Sequence, residues 1–170
     1  MNISNKTKNI VLAALFAAII CTTIAFIPRI PTGFNGGYIH LGDTFIYLAA
    51  VLLPTPYAMV AAGIGAGLAD ALSGGIVWII ATIIIKPVMV LFFTSKSDKL
   101  LCKRNILALF ISGFVGCFGY YLAGAIMSGN FIAPLATLYL EAIQPVVSGI
   151  IFLLAGYAFD NIKIRKRILK

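Results

Sequence analysis

GGYIHLGDTFIYLAAVLLPTPYAMVAAGIGAGLADALSGGIVWIIATIIIKP, residues 36–87, decides the fold. The stretch opens polar and glycine-rich, through His40-Leu41-Gly42-Asp43. Two apolar runs follow, separated by Pro54-Thr55-Pro56, with Asp70 near the end of the second. A third apolar run carries Lys86 immediately before Pro87. A charged side chain inside a bilayer is costly, and those that persist face a cavity, a partner or a pathway. A stretch this apolar that keeps His40, Asp43, Asp70 and Lys86 is built to handle a small polar molecule.

The rest of the chain agrees with that stretch. Of its 170 residues 61% are hydrophobic and 11% charged, and the mean hydropathy is +1.05. A soluble domain is about half apolar and about a quarter charged. Repeated apolar runs approach the ~20 residues that a spanning helix needs. The sequence therefore predicts an all-α polytopic membrane protein, one domain over 1–170, with six transmembrane helices at about 9–27, 41–53, 57–73, 76–93, 105–127 and 135–158. Helix 2 is short for a span. Residues 28–40 hold two prolines, three glycines and the Asn35-Gly36 turn signal, so they read as a long loop. Lys6 and Lys8 precede the first run, which is longer than a cleavable signal core, so helix 1 reads as retained.

The net charge of +8 does not read as a nucleic-acid surface. Lys6, Lys8, Lys96, Lys99, Lys103, Arg104, Lys163, Arg165, Lys166, Arg167 and Lys170 fall on one side of a six-span topology, with Arg29 opposite and Lys86 within the membrane. Positive residues collect on the cytoplasmic side, which places both termini there. Cys21, Cys102 and Cys117 have no metal or redox spacing. A single histidine excludes a multi-histidine zinc site, and no G-x-x-x-x-G-K-[ST] loop is present. No catalytic group set, cofactor or metal is expected.

Two small-residue ladders run along helix 1, Ala13/Ala17/Cys21 and Ala14/Ala18/Thr22/Ala25. Such spacing lets another backbone approach closely, within the bundle or from a separate membrane subunit. Elsewhere the polar residues converge at one depth. Tyr38, His40 and Asp43 lie at the outer boundary, with Asp70, Trp78, Tyr120 and Tyr121 at outer helix ends. Glu141 and Gln144 occupy the outer part of helix 6, and Lys86 sits deeper. This describes an outward site with aromatic walls and a few orienting polar groups, suited to a flat heteroaromatic solute. Each residue has an ordinary alternative. Trp and Tyr anchor membrane interfaces, Asp43 caps helix 2, and Lys86 neutralises Asp70 or Glu141.

Helix 1's alanines, the long outer loop, Gly37–Asp43, Leu68-Ala69-Asp70 and Ile85-Lys86-Pro87 carry a family resemblance over the whole chain. The chain resembles the substrate-binding membrane subunit (S component) of energy-coupling factor (ECF) vitamin transporters. Gly37–Asp43 is similar to the branch for hydroxymethylpyrimidine, vitamin B6 and related precursors. The resemblance implies capture of a small water-soluble vitamin at the outer face of a bacterial plasma membrane. It also implies a gating loop after helix 1 and docking through Ala13, Ala14, Ala17 and Ala18 onto a transmembrane coupling protein. Two cytoplasmic ATPases would then drive uptake. The competing reading is a self-sufficient secondary transporter or ion channel, with Asp70, Lys86 and Glu141 as a relay.

Overall fold

The computed structural model describes residues 3–28, 30–31 and 38–164, with the side chains of Ile3, Ser4 and Tyr38 outside that description. Arg29, Phe34, the Asn35-Gly36 turn and the basic tail from Arg165 also lie outside the described residues. Among the described residues are six α-helices: α1 (Ile3–Phe26), α2 (Gly42–Leu52), α3 (Thr55–Leu72), α4 (Ile79–Val90), α5 (Lys103–Ser128) and α6 (Leu135–Asn161). Between α1 and α2, β1 (Ile30–Pro31) pairs antiparallel with β2 (Tyr38–Ile39), Ile30 opposite Ile39. The non-helical reading of this connection therefore holds where it is described. The fourth helix differs from its expected span of 76–93. Ile76–Trp78 forms a 3-10 turn, and the α-helix runs only from Ile79 to Val90.

The apolar helices face outward as much as inward. Asn5–Phe26, Lys103–Ser128 and Leu135–Asn161 are each long and apolar enough to cross a membrane. Large side chains such as Phe110, Phe114, Ile126 and Leu154 are exposed on them. In water that surface would be ruinous, whereas in hydrocarbon it costs nothing.

The short α2 is the hub. It packs against α1, α3, α4 and α6, and every residue but Phe45 is buried. A helix apolar on all sides belongs in a core. Below its first turn, Tyr47 stacks on Phe93 at 5.3 Å and meets Phe152 edge-on at 6.0 Å. Eleven residues rise only about 16 Å, well short of a bilayer core. The space over its N-terminal end is what the functional residues occupy.

Small residues set how the other helices close around it. Gly65 of α3 lies against Ala17, where an added Cβ would sit 2.6 Å from the Ala17 carbonyl oxygen. Gly63 receives the Pro87 ring, and Gly113 receives Pro145. The two helix 1 ladders thus separate. Ala13 is buried and so is not free to dock elsewhere, contrary to expectation, while Ala17 packs its backbone against Gly65 and keeps a half-buried side chain. Ala14, Ala18 and Thr22 are exposed.

The segment between α4 and α5 is pinned rather than loose. Buried Asn105 donates to the Leu100 carbonyl at 2.8 Å and the Thr94 carbonyl at 3.0 Å, and accepts from the Thr94 amide at 2.7 Å. Asp160 accepts the Leu100 and Leu101 amides at 2.7 and 3.1 Å. Asn105→Ala removes three bonds at a fully buried position and is expected to cost about 2 kcal/mol, since unsatisfied buried groups cost ~1–3 kcal/mol. A thermal melt of the purified variant in detergent checks this.

Candidate functional site

Asp43 sits in the first turn of α2, and Lys86 reaches it from α4. The Lys86 Nζ lies 2.6 Å from Asp43 Oδ1, with the two side chains 1% and 3% exposed. A buried ion pair is tolerated only when its remaining lone pairs are also met. Gln144 of α6 supplies that, donating from Nε2 to Asp43 Oδ2 at 2.8 Å. The same amide's Oε1 accepts the His40 backbone N–H at 3.1 Å. His40 Nδ1 in turn accepts the Gly42 N–H at 3.1 Å. One connected network thus ties the residue after β2 to α2, α4 and α6.

The expectation that Lys86 neutralises Asp70 or Glu141 is corrected, because its hydrogen-bonded partner is Asp43. Asp43 is not the cap of α2 either. Leu41 holds that position without a side-chain bond, and the Asp43 carboxylate turns to Lys86 and Gln144.

Above the ion pair is a cavity of about 70 Å³. His40, Asp43, Asp70, Trp78, Lys86, Tyr120, Glu141 and Gln144 all line it. One wall is aromatic. The Trp78 and Tyr120 rings lie 5.9 Å apart and tilted, and the Tyr120 hydroxyl shares a 2.9 Å hydrogen bond with Thr82. The Lys86 ammonium stands 5.1 Å from the Tyr120 ring centroid, an attractive cation–ring contact.

Eight of the ten expected substrate-site residues therefore line one cavity. The Tyr38 side chain lies outside the described residues. Tyr121 points elsewhere, donating to the Phe131 carbonyl at 3.0 Å and stacking with Phe118 at 6.4 Å. Neighbouring helix positions differ by about 100° of rotation, so Tyr120 and Tyr121 cannot share a face.

Sequence reasoning missed Thr82, Met89, Gly113, Gly116 and Cys117, which also line the cavity. Helical spacing held the signal. Trp78, Thr82, Lys86 and Met89 fall three or four positions apart, as do Gly113, Gly116 and Tyr120. The two glycines let Pro145 and Met89 pack close against α5 beside the cavity. Among the described residues no cluster of three or more His, Cys, Asp or Glu is placed to hold a metal ion.

Comparison with known proteins identifies this architecture. The profile of the ECF-type riboflavin transporter S component family matches residues 4–160, and the chain belongs to that family. It is a membrane transport subunit. S components work with an energy-coupling module and a small vitamin-like substrate. A curated relative from Pyrococcus woesei, described as an uncharacterized protein in gap 3'region, is 32% identical over 133 residues, covering 76% of this chain and 86% of its own length.

Proposed function

We propose that this chain is the cargo-capturing subunit of an ATP-driven vitamin importer, and that the Trp78–Tyr120 cavity holds a single-ring heteroaromatic vitamin or precursor. The lining of that cavity carries the reading. An aromatic wall, Trp78 beside Tyr120 at 5.9 Å, stands with the polar side chains of Glu141 and Gln144 around one cavity. A substituted pyrimidine or pyridine offers a flat face to the first and polar edge groups to the second. The family's name points to riboflavin, a larger flat ring system. Hydroxymethylpyrimidine and pyridoxine are the cargo types proposed here.

The subunit spans a bacterial plasma membrane six times with both termini cytoplasmic. The basic residues support this, because Lys6, Lys8, Lys96, Lys99, Lys103, Arg104 and Lys163 all fall at one end of the alternating helices. The cavity then opens outward, over the short α2. The exposed Ala14–Ala18–Thr22 strip of α1 is the docking face for a transmembrane coupling protein, with two ATPases beneath it.

A thermal-shift panel of water-soluble vitamins and precursors on the purified chain tests the cargo. At a thousandfold excess over its Kd, a ligand adds about 4 kcal/mol of stability. A single-ring hit is expected, and a riboflavin hit with every single-ring compound silent would overturn that choice of cargo. Proteoliposomes test the subunit role. Concentrative uptake by the chain alone, sensitive to a proton gradient, would replace this reading with a self-sufficient transporter using Asp70, Lys86 and Glu141.

A further inference from the structure

A second recess lies outside the cargo cavity, between α5 and α6. It is a groove of about 740 Å³ that runs past Leu109, Phe114 and Tyr121 on α5 and past Leu138, Val146 and Leu153 on α6. We propose that this groove holds one acyl chain of an anionic phospholipid, whose headgroup is met by Lys103.

The lining calls for hydrocarbon. Among the described residues no charged side chain lines the groove. Its one hydroxyl, on Tyr121, donates to the Phe131 carbonyl at 3.0 Å. An ordered water needs two to four polar partners, which this lining does not offer. The groove is also deep. Pro145 seats on Gly113, but one turn further along α6 an added carbon at Gly149 would meet no atom within 4 Å. Helices approach each other closely in membranes through small residues. Here the exposed lining is bulky, with Phe110, Phe114, Phe118, Val146 and Ile150, which holds a straight helix off and leaves room for a flexible chain.

Length and charge say which hydrocarbon. From Leu109 to Tyr121 the groove follows α5 for about 18 Å, close to half of the ~30 Å bilayer core and so to the depth of one leaflet. Lys103 lies seven positions before Phe110, two turns away on the same face of α5. It is exposed and forms no ion pair among the described residues. The carboxylate of Asp160 is turned to the Leu100 and Leu101 amides instead. A basic side chain at the end of a span attracts anionic headgroups. Gly113, Cys117 and Pro145 line both the groove and the cargo cavity, so the acyl chain stands behind one wall of that cavity. The inference holds whichever cargo the cavity takes.

Native mass spectrometry of the full chain in detergent tests it, with phosphatidylglycerol and phosphatidylcholine of matched acyl chains as probes. One phosphatidylglycerol per chain is expected, retained at least tenfold over phosphatidylcholine. Lys103→Gln is expected to erase that preference. Gly149→Phe places a ring in the groove and is expected to lower retention at least tenfold. Equimolar phosphatidylglycerol with a photoactivatable acyl chain is expected to label α5 and α6 of the parent chain at least fivefold over α1 and α3. That labelling needs no variant, so it decides the matter even where Gly149→Phe fails to fold. Even labelling of all helices, or retention unchanged in a folded Gly149→Phe, overturns the acyl site. A preference that survives Lys103→Gln overturns the headgroup assignment. A stable dimer in place of the lipid adduct overturns the proposal and gives the groove to a second copy of the chain.

Discussion

Lys86→Met is expected to destabilise the chain by about 3–5 kcal/mol, the range for stranding one member of a buried ion pair. Adding Asp43→Asn to the same chain is expected to restore most of the loss. Methionine keeps the aliphatic stem of lysine and its packing, so the single variant isolates the ammonium. What it leaves behind is a carboxylate 3% exposed, 2.6 Å from where its partner stood. Gln144 still donates to that carboxylate, but one neutral amide cannot replace a charge. In the double variant the stranded charge is gone, and an asparagine oxygen at position 43 still accepts from Gln144. Two melting curves in detergent decide the matter. A single variant within 1 kcal/mol of the parent, or a double variant no better than the single, would show that the pair does not hold α2 to α4.

This result also bears on how much of the site was readable beforehand. That Lys86 and Asp43 are functional or paired followed from the cost of charge in an apolar run. That they pair with each other did not, because 43 positions separate them and three carboxylates lay at compatible depth. Only the packing of α2 against α4 and α6 chooses among Asp43, Asp70 and Glu141. Tyr120 and Tyr121 pose the same problem on one helix. Depth along the membrane is set by sequence position, but which of two neighbours faces the cavity depends on the rotation of α5. Gly113 and Gly116 line the cavity with Tyr120, and the steps of three and four positions between them carried the clue. The 3-10 turn at Ile76–Trp78 was hidden for another reason. Ile, Val and Trp read equally well as the start of a helix, and the glycine pair before them marks only that a break occurs.

The helix 1 ladders show the limit most clearly, and they lead to the second large effect. Both ladders are small-residue strips, and nothing within α1 says which one meets α3. Gly65 settles it from the other side, and Gly65→Ala is therefore expected to cost about 2 kcal/mol, with Gly65→Leu at about 3 kcal/mol or more. The new methyl would lie 2.6 Å from the Ala17 carbonyl oxygen, 3.0 Å from its Cα and 3.0 Å from the Ile20 Cβ. Two of those neighbours are backbone, so no side-chain rotation relieves the clash and α1 must move as a unit. Replacing glycine within a helix ordinarily gains about 1 kcal/mol, which works against the effect and makes a net loss the more telling. Gly149→Ala is the control. It has no neighbour within 4 Å of the added carbon, so only the helical gain of about 0.5–1 kcal/mol remains and its melting point is expected to rise. The cavity draws its lining from α2, α4, α5 and α6, with Asp70 from the far end of α3. If the Ala14–Ala18 strip docks a coupling module as proposed, displacing α1 at Gly65 is expected to weaken that association more than it weakens capture of cargo. Pull-down of the module beside ligand titration separates the two. Loss of cargo binding with module association intact would mean that α1 supports the cavity rather than the docking face.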